Sequence, residues 1–60
     1  MRARLTEAER RTLREVYETG GSNDYPSTER LLALSLIRWD GTSNLYRTTV
    51  AGLAALRGDS

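Results

Sequence analysis

The sequence contains neither cysteine nor histidine, and these two absences exclude much of the chemistry that proteins perform. Without cysteine there is no disulfide framework and no thiolate metal site. Without histidine the chain lacks the most frequent general base and the commonest metal ligand. The aspartates and glutamates are not clustered, so a carboxylate metal site is not expected either. We therefore expect a protein that is not an enzyme and that uses no cofactor.

Long apolar runs are also missing. No run approaches the ~18 residues that a membrane-spanning helix needs. The segment 1–10 carries arginine but no apolar stretch of the kind found in a signal peptide. We therefore expect no membrane span, and the lack of cysteine favours a cytoplasmic protein.

The length of 60 residues allows one domain that covers the whole chain. A chain of this size buries only ~60% of the surface that its unfolded form exposes. Because no covalent cross-link adds stability, such a domain needs tightly packed helices or self-association. A homodimer is one expected solution.

Lysine is absent as well, since all nine basic residues are arginine. Two interpretations are open: a GC-rich coding sequence, or a need for the guanidinium group, which binds phosphate through two hydrogen bonds. The net charge of +1 is small for a nucleic-acid-binding domain. Segment 1–19 (five Arg, four Glu) and segment 38–60 (three Arg, two Asp) each carry +1, whereas segment 20–37 carries −1.

A capping box, Thr6-Glu7-Ala8-Glu9, predicts the start of a first helix. The helix is expected to run to about Thr19, where Gly20-Gly21 ends it. Apolar residues with a spacing near 3.6 predict one buried stripe. Its members are Leu5, Ala8, Leu13, Val16 and Tyr17.

The opposite face of this helix is basic. Arg10 and Arg14 are candidates for contacts with phosphate. The more frequent arrangement on such a face is a set of ion pairs between residues four apart. The possible pairs are Glu7–Arg11, Arg11–Glu15 and Arg14–Glu18.

A second helix is predicted from about Ser27 to Leu34, because Pro26 suits a helix start and Ser27 can cap it. Leu31 and Leu34 lie three residues apart and are expected to face the core. The positions expected to face outward are Thr28, Glu29, Arg30 and Ala33.

A β-hairpin is predicted next, with strands at 36–39 and 45–48 and a turn of about five residues that opens at Asp40-Gly41. Trp39 and Tyr46 are expected to pair across the strands. Thr48 or Thr49 then caps a final helix. The predicted apolar face of that helix is Val50, Leu53, Ala54 and Leu56.

The predicted order is helix, helix, hairpin, helix, which is a mostly α chain with a small β-hairpin. The segment LLALSLI at 31–37 resembles the LxxLGLI segment of winged-helix proteins, and YRTTVAGLAAL at 46–56 resembles the Y-R-L-T-x-x-G-x-x-x-L segment of MarR-like and PadR-like regulators. The resemblance covers residues 5–56 and implies an α-α-β-β-α winged-helix-like domain, ordered over about 5–57. In two respects the chain departs from the family: Ser35 replaces the usual glycine, and two helices rather than three precede the wing.

This resemblance implies a small DNA-binding protein, a transcriptional regulator or accessory factor, whose partner is double-stranded DNA. Its second helix would enter the major groove and its hairpin, the wing, would contact the backbone. Thr28 and Arg30 would then read bases, and Ser27 would donate to a phosphate. The expected backbone contacts come from Arg38, Arg47 and the wing-tip residues Thr42, Ser43 and Asn44, with further contacts from Arg10 and Arg14.

The alternative is a non-enzymatic protein-interaction module with the same fold, for example a small viral or mobile-element protein that binds a host factor. Leucines such as Leu45 exceed what so small a core can bury, and leftover apolar surface marks a partner site or a dimer face. The candidate residues for that surface are Leu32, Leu36 and Trp39. The charge map favours this alternative and the resemblance favours DNA binding; fold alone is a poor guide to function.

Overall fold

A computed structural model describes residues 5–58, which form three helices and one hairpin in the order α-α-β-β-α. The predicted order of elements and the α+β class are confirmed. The helices are α1 (Glu7–Thr19), α2 (Tyr25–Ala33) and α3 (Val50–Gly58). The strands are β1 (Ile37–Asp40) and β2 (Leu45–Thr48), which pair antiparallel.

Both ends of α1 follow local chemistry that the sequence shows. The Thr6 hydroxyl accepts from the Glu9 amide at 3.1 Å, and the Glu9 carboxylate accepts from the Thr6 amide at 2.9 Å. Gly20 then takes a left-handed conformation (φ 80°) and donates its N–H to the Val16 carbonyl at 2.8 Å. Glycine takes this conformation without the strain that a Cβ would cause.

The buried stripe of α1 is narrower than predicted. Leu13 and Val16 are buried, and Thr12 is buried beside them. Ala8 is exposed and Tyr17 is 57% exposed, so including these two in the stripe was wrong. The buried side chains of α1 therefore come from the stretch between Thr12 and Val16.

Helix α2 begins two residues earlier than predicted. Asp24 occupies the N-cap position, and Pro26 lies in the first turn, where a missing N–H has no cost. Ser27 is therefore inside the helix and does not cap it; its hydroxyl donates to the Asp24 carboxylate.

The core consists of Leu13 and Val16 from α1, Leu31 from α2 and Ile37 from β1. Leu13 and Leu31 are fully buried. Leu34 is only half-buried, because α2 ends at Ala33 and Ile37 occupies the core instead. The core is bordered by partly buried residues: Leu5, Leu36, Tyr46, Ala55 and Leu56.

The connection from α2 to β1 is a Schellman motif. The Leu36 N–H donates to the Leu31 carbonyl at 2.9 Å, and the Ser35 N–H donates to the Leu32 carbonyl at 3.0 Å. This motif requires a left-handed residue at the position that Ser35 occupies, and its φ is 60°. Ser35 thus takes the left-handed conformation although it is not a glycine.

The hairpin has the predicted pairing and a shorter turn. Trp39 lies opposite Tyr46, with ring centroids 5.0 Å apart and ring planes at 72°, so their pairing is confirmed. Strand β1 includes Asp40, which leaves a turn of residues 41–44. Asn44 has a φ of 57° there, a conformation that asparagine tolerates better than most residues.

Thr49 and Gly52 determine where helix α3 begins and how closely it packs. The Thr49 hydroxyl accepts from the Gly52 amide at 3.0 Å and donates to the Ser35 carbonyl at 2.6 Å, so Thr49 is the capping residue. A Cβ on Gly52 would lie 2.0 Å from the Leu36 carbonyl oxygen. Val50 is 85% exposed and Ala54 is exposed, so placing them on the buried face was wrong. The inner side instead carries Gly52, Leu53, Ala55 and Leu56.

We expect Gly52→Ala to lower the free energy of unfolding by about 3 kcal/mol, because the added methyl overlaps a backbone carbonyl that cannot move alone. Urea denaturation followed by circular dichroism measures the change. Gly58→Ala is the control, since nothing lies within 4 Å of its added Cβ. An equal effect at both positions would contradict the close approach of α3.

We expect Ser35→Gly to raise the free energy of unfolding by about 0.5–1 kcal/mol. Glycine removes the strain that a side chain causes in the left-handed conformation. The larger backbone entropy that glycine loses on folding offsets only part of this gain. Thermal melting measures the change. Asn44→Gly should show a smaller gain, and a destabilised Ser35→Gly variant would refute the argument.

Candidate nucleic-acid interface

The candidate residues lie on three parts of the fold. Ser27, Thr28 and Arg30 are on α2, and Arg10 and Arg14 are on α1. The hairpin carries Arg38, Thr42, Ser43, Asn44 and Arg47. The three groups differ in exposure and in charge, and each is described separately.

Two of the three α2 candidates are buried. Ser27 and Thr28 are each 5% exposed. The Thr28 hydroxyl donates to the Asp24 carbonyl at 2.8 Å and contacts the Ser22 hydroxyl. The prediction that Thr28 faces outward was therefore wrong, and Ser27 has no free surface for a phosphate. The sequence contained a signal for this burial, because both residues lie three or four positions before Leu31, on the same helical face.

The outer face of α2 carries no excess of positive charge. Arg30 is exposed, but Glu29 is its neighbour and Asp24 lies at the helix start. The Tyr25 hydroxyl donates to Glu29 Oε2 at 2.7 Å, and this hydrogen bond to a carboxylate raises the pKa of Tyr25 above its ordinary value. Arg30 remains the one α2 candidate in a position to contact a ligand.

The outer face of the hairpin carries two arginines side by side. Arg38 lies directly opposite Arg47, and both are exposed. Because alternate residues of a strand face opposite sides, Asp40 and Leu45 share this face, while Trp39 shares the other with buried Ile37. Like charges that face each other across two strands are destabilising. Asp40 on the same face offsets part of that repulsion, and an anion bound between the arginines would offset the rest.

Asp40 organises the turn next to this pair. Its Oδ1 accepts from the Thr42 amide at 3.0 Å, and its Oδ2 accepts from the Ser43 hydroxyl at 3.0 Å. The Arg47 Nε also donates to Oδ2, at 3.2 Å. The Ser43 hydrogen bond, then the Thr42 amide and Arg47, hold the pKa of Asp40 below its ordinary value of 3.8.

Thr42, Ser43 and Asn44 are exposed at the tip as expected, with the Ser43 hydroxyl bound within the turn. Sequence reasoning used Asp40 only to open the turn and missed its contact with Arg47. The sequence feature that could have predicted the role of Asp40 in the turn was the Asp40-Gly41 pair followed by Thr42 and Ser43.

The arginines of α1 lie beside α3. Arg11 pairs with Glu7 at 3.7 Å and Arg14 with Glu18 at 3.6 Å, so two of the predicted ion pairs are present. The Glu15 carboxylate accepts from the Asn23 side chain at 3.1 Å. Arg10 and Arg14 line a groove of about 390 Å³ between α1 and α3. This groove is a second surface, distinct in its lining from the hairpin face.

The apolar candidate residues differ in how far they are exposed. Trp39 is 53% exposed and Leu32 is 39% exposed. Leu36 is half-buried and packs against the core, so it contributes less to a surface than expected. Leu45 covers Gly20, with side-chain atoms 3.0–3.2 Å from the position of an added Cβ.

Compared with protein-family models, with curated proteins and with solved structures, the chain matches none of them. Within residues 5–58 there is no group of three or more carboxylate, imidazole or thiol side chains arranged to hold a metal ion. In that same part of the chain, no helix combines the length and apolar character needed to cross a membrane.

We expect the carboxyl carbon of Asp40 to titrate below pH 3.8 in an NMR experiment, and Ser43→Ala to move its pKa upward. Since the folded-state pKa is depressed, the stability that Asp40 contributes is complete above its unfolded-state pKa. That contribution is lost as the pH falls through the folded-state value. Thr42→Ala is the matched control, because Thr42 donates through its backbone amide and should leave the pKa low. An unshifted pKa in the wild type would refute the described turn.

Proposed function

We propose that this protein is a small winged-helix-like DNA-binding protein whose hairpin, more than its second helix, contacts double-stranded DNA. The observation that carries the proposal is the exposed pair of arginines, Arg38 and Arg47, facing each other across the two strands. Asp40 offsets part of the repulsion between the two arginines, and phosphates bound beside them would offset the rest.

The turn supports the same role. Asp40 pairs with Arg47 at 3.2 Å and accepts two hydrogen bonds from the residues of the turn. The hairpin is therefore ordered before it binds a ligand. The side chains of Thr42 and Asn44 can then donate to phosphate oxygens beside the arginines. Preorganisation of this kind lowers the entropy lost on binding.

Base reading has little support, since Arg30 is the remaining exposed candidate on α2 and Glu29 is its neighbour. Binding should therefore depend mainly on phosphate contacts and be strongly salt-dependent. A second copy of the chain, with a second hairpin, would double these contacts and raise the affinity. Such a protein would act in the cytoplasm as an accessory factor or regulator and not as an enzyme.

A second candidate function is a protein-interaction module. It is favoured by the charge of the described part, where seven arginines balance seven carboxylates. It is also favoured by the exposure of Trp39 and Leu32, which with half-buried Leu36 would form the docking surface. A partner that covers these residues would bury apolar area that now faces water.

We expect Arg38→Ala combined with Arg47→Ala to weaken binding to a mixed-sequence DNA duplex roughly tenfold at low salt. Two lost phosphate contacts should also reduce the slope of log affinity against log salt by about two. Fluorescence anisotropy at several salt concentrations measures both quantities, with circular dichroism to check the fold.

Arg11→Ala combined with Arg57→Ala is the matched control, because it removes the same charge from α1 and α3, outside the hairpin. Equal losses in the two double variants would mean that only net charge matters. No binding of the wild type to the duplex at low salt would eliminate the DNA proposal and leave the protein-interaction candidate.

A further inference from the structure

A trough lies between α1 and α3, and neither the hairpin nor the outer face of α2 takes part in it. Two adjoining hollows form it, of about 390 Å³ and about 200 Å³, and both are lined by Arg14 and Leu56. We call this continuous surface the α1–α3 trough. Along α1 it extends from Glu7 to Tyr17, which is roughly 15 Å or three helical turns.

The rim of the α1–α3 trough carries more arginine than carboxylate. Four of the seven described arginines line it together with Glu7, and Glu18 pairs with Arg14 beside it. The four are Arg10, Arg11, Arg14 and Arg57. Because residues 5–58 carry no net charge overall, this rim concentrates positive charge on one side of the molecule.

The floor of the α1–α3 trough is apolar. From α3 it is lined by Leu53, Ala55 and Leu56, all half-buried. At one end the ring of Tyr17, which is 57% exposed, extends this apolar surface. A ligand that fits must therefore offer apolar groups to the floor and negative charge to the rim.

We propose that the α1–α3 trough is the docking site for an acidic amphipathic helix of a partner protein. Leucine-like side chains one turn apart would lie on Leu53, Leu56 and Tyr17, and flanking Asp or Glu side chains would meet the arginines. A nucleic-acid backbone supplies the negative charge but no apolar groups for the floor. The length of the trough suits a helix of three to four turns.

Two arginines of the rim, Arg11 and Arg14, can exchange their present partners at little cost. The Glu7–Arg11 and Arg14–Glu18 pairs are 3.7 Å and 3.6 Å long, and all four side chains are more than half exposed. Exposed ion pairs of this kind contribute little to stability. A carboxylate of the partner can replace the internal one, and next to the apolar floor it is better shielded from water.

The test uses a fluorescein-labelled synthetic peptide of about 15 residues, with leucines at helical spacing and glutamates flanking them. Anisotropy should show saturable binding to the full chain, and NMR should place the shifted amides on α1 and α3. A peptide with lysine in place of glutamate should not bind. Arg11→Gln combined with Arg57→Gln should weaken binding of the acidic peptide roughly tenfold, and Tyr17→Ala should weaken it as well.

Arg38→Gln combined with Arg47→Gln is the matched control, and it should bind the acidic peptide as the wild type does. Equal binding of the lysine peptide would overturn the proposal, and so would a trough variant with unchanged affinity. Duplex DNA or anionic phosphatidylserine vesicles that bind at the trough in place of the peptide would also overturn it. Because the DNA proposal is tested on the hairpin variant with a duplex, either proposal can fail while the other stands.

Discussion

The junction of Ser35, Leu36, Thr49 and Gly52 is the constraint on which the rest of the structure depends. The Thr49 hydroxyl caps α3 and donates to the Ser35 carbonyl, while the Leu36 carbonyl accepts from the Thr49 amide at 3.0 Å. Gly52 lets α3 lie directly against that carbonyl. These contacts join the end of α2, the base of the hairpin and the start of α3. Because residues 5–58 supply four buried apolar side chains to the core, the domain relies on such backbone contacts for its unique arrangement.

The same junction determines what the hairpin presents to solvent. Once Ser35 turns the chain, Ile37 enters the core, and strand alternation then places Arg38 and Arg47 on the outer face. The Tyr46 amide donates to the Gly20 carbonyl at 2.9 Å, which ties β2 to the end of α1. The hairpin that carries the arginine pair is thus connected to all three helices. The orientation of the two arginines follows from core packing.

Charge is distributed so that two different surfaces stand out on a chain with almost no net charge. The hairpin face combines arginine with polar groups that suit phosphate, whereas the α1–α3 trough combines arginine with an apolar floor. The second helix has no positive excess and contributes Ser27 and Thr28 to internal packing. Under the two proposals made above, the protein would bind a nucleic acid at the hairpin and a partner helix at the α1–α3 trough.

The sequence by itself determined the features that depend on near neighbours. The capping box at Thr6, the glycine end at Gly20 and the Trp39–Tyr46 pairing all follow from short-range chemistry and were predicted. The sequence did not predict the burial of Thr28, the exposure of Val50 or the half-buried position of Leu34. Each of these depends on how a helix is rotated against the rest of the domain. The α1–α3 trough was also beyond sequence reasoning, since it exists only where two helices far apart in the chain meet. Local hydrogen bonds are readable from sequence, while the side that each element buries is decided by tertiary packing.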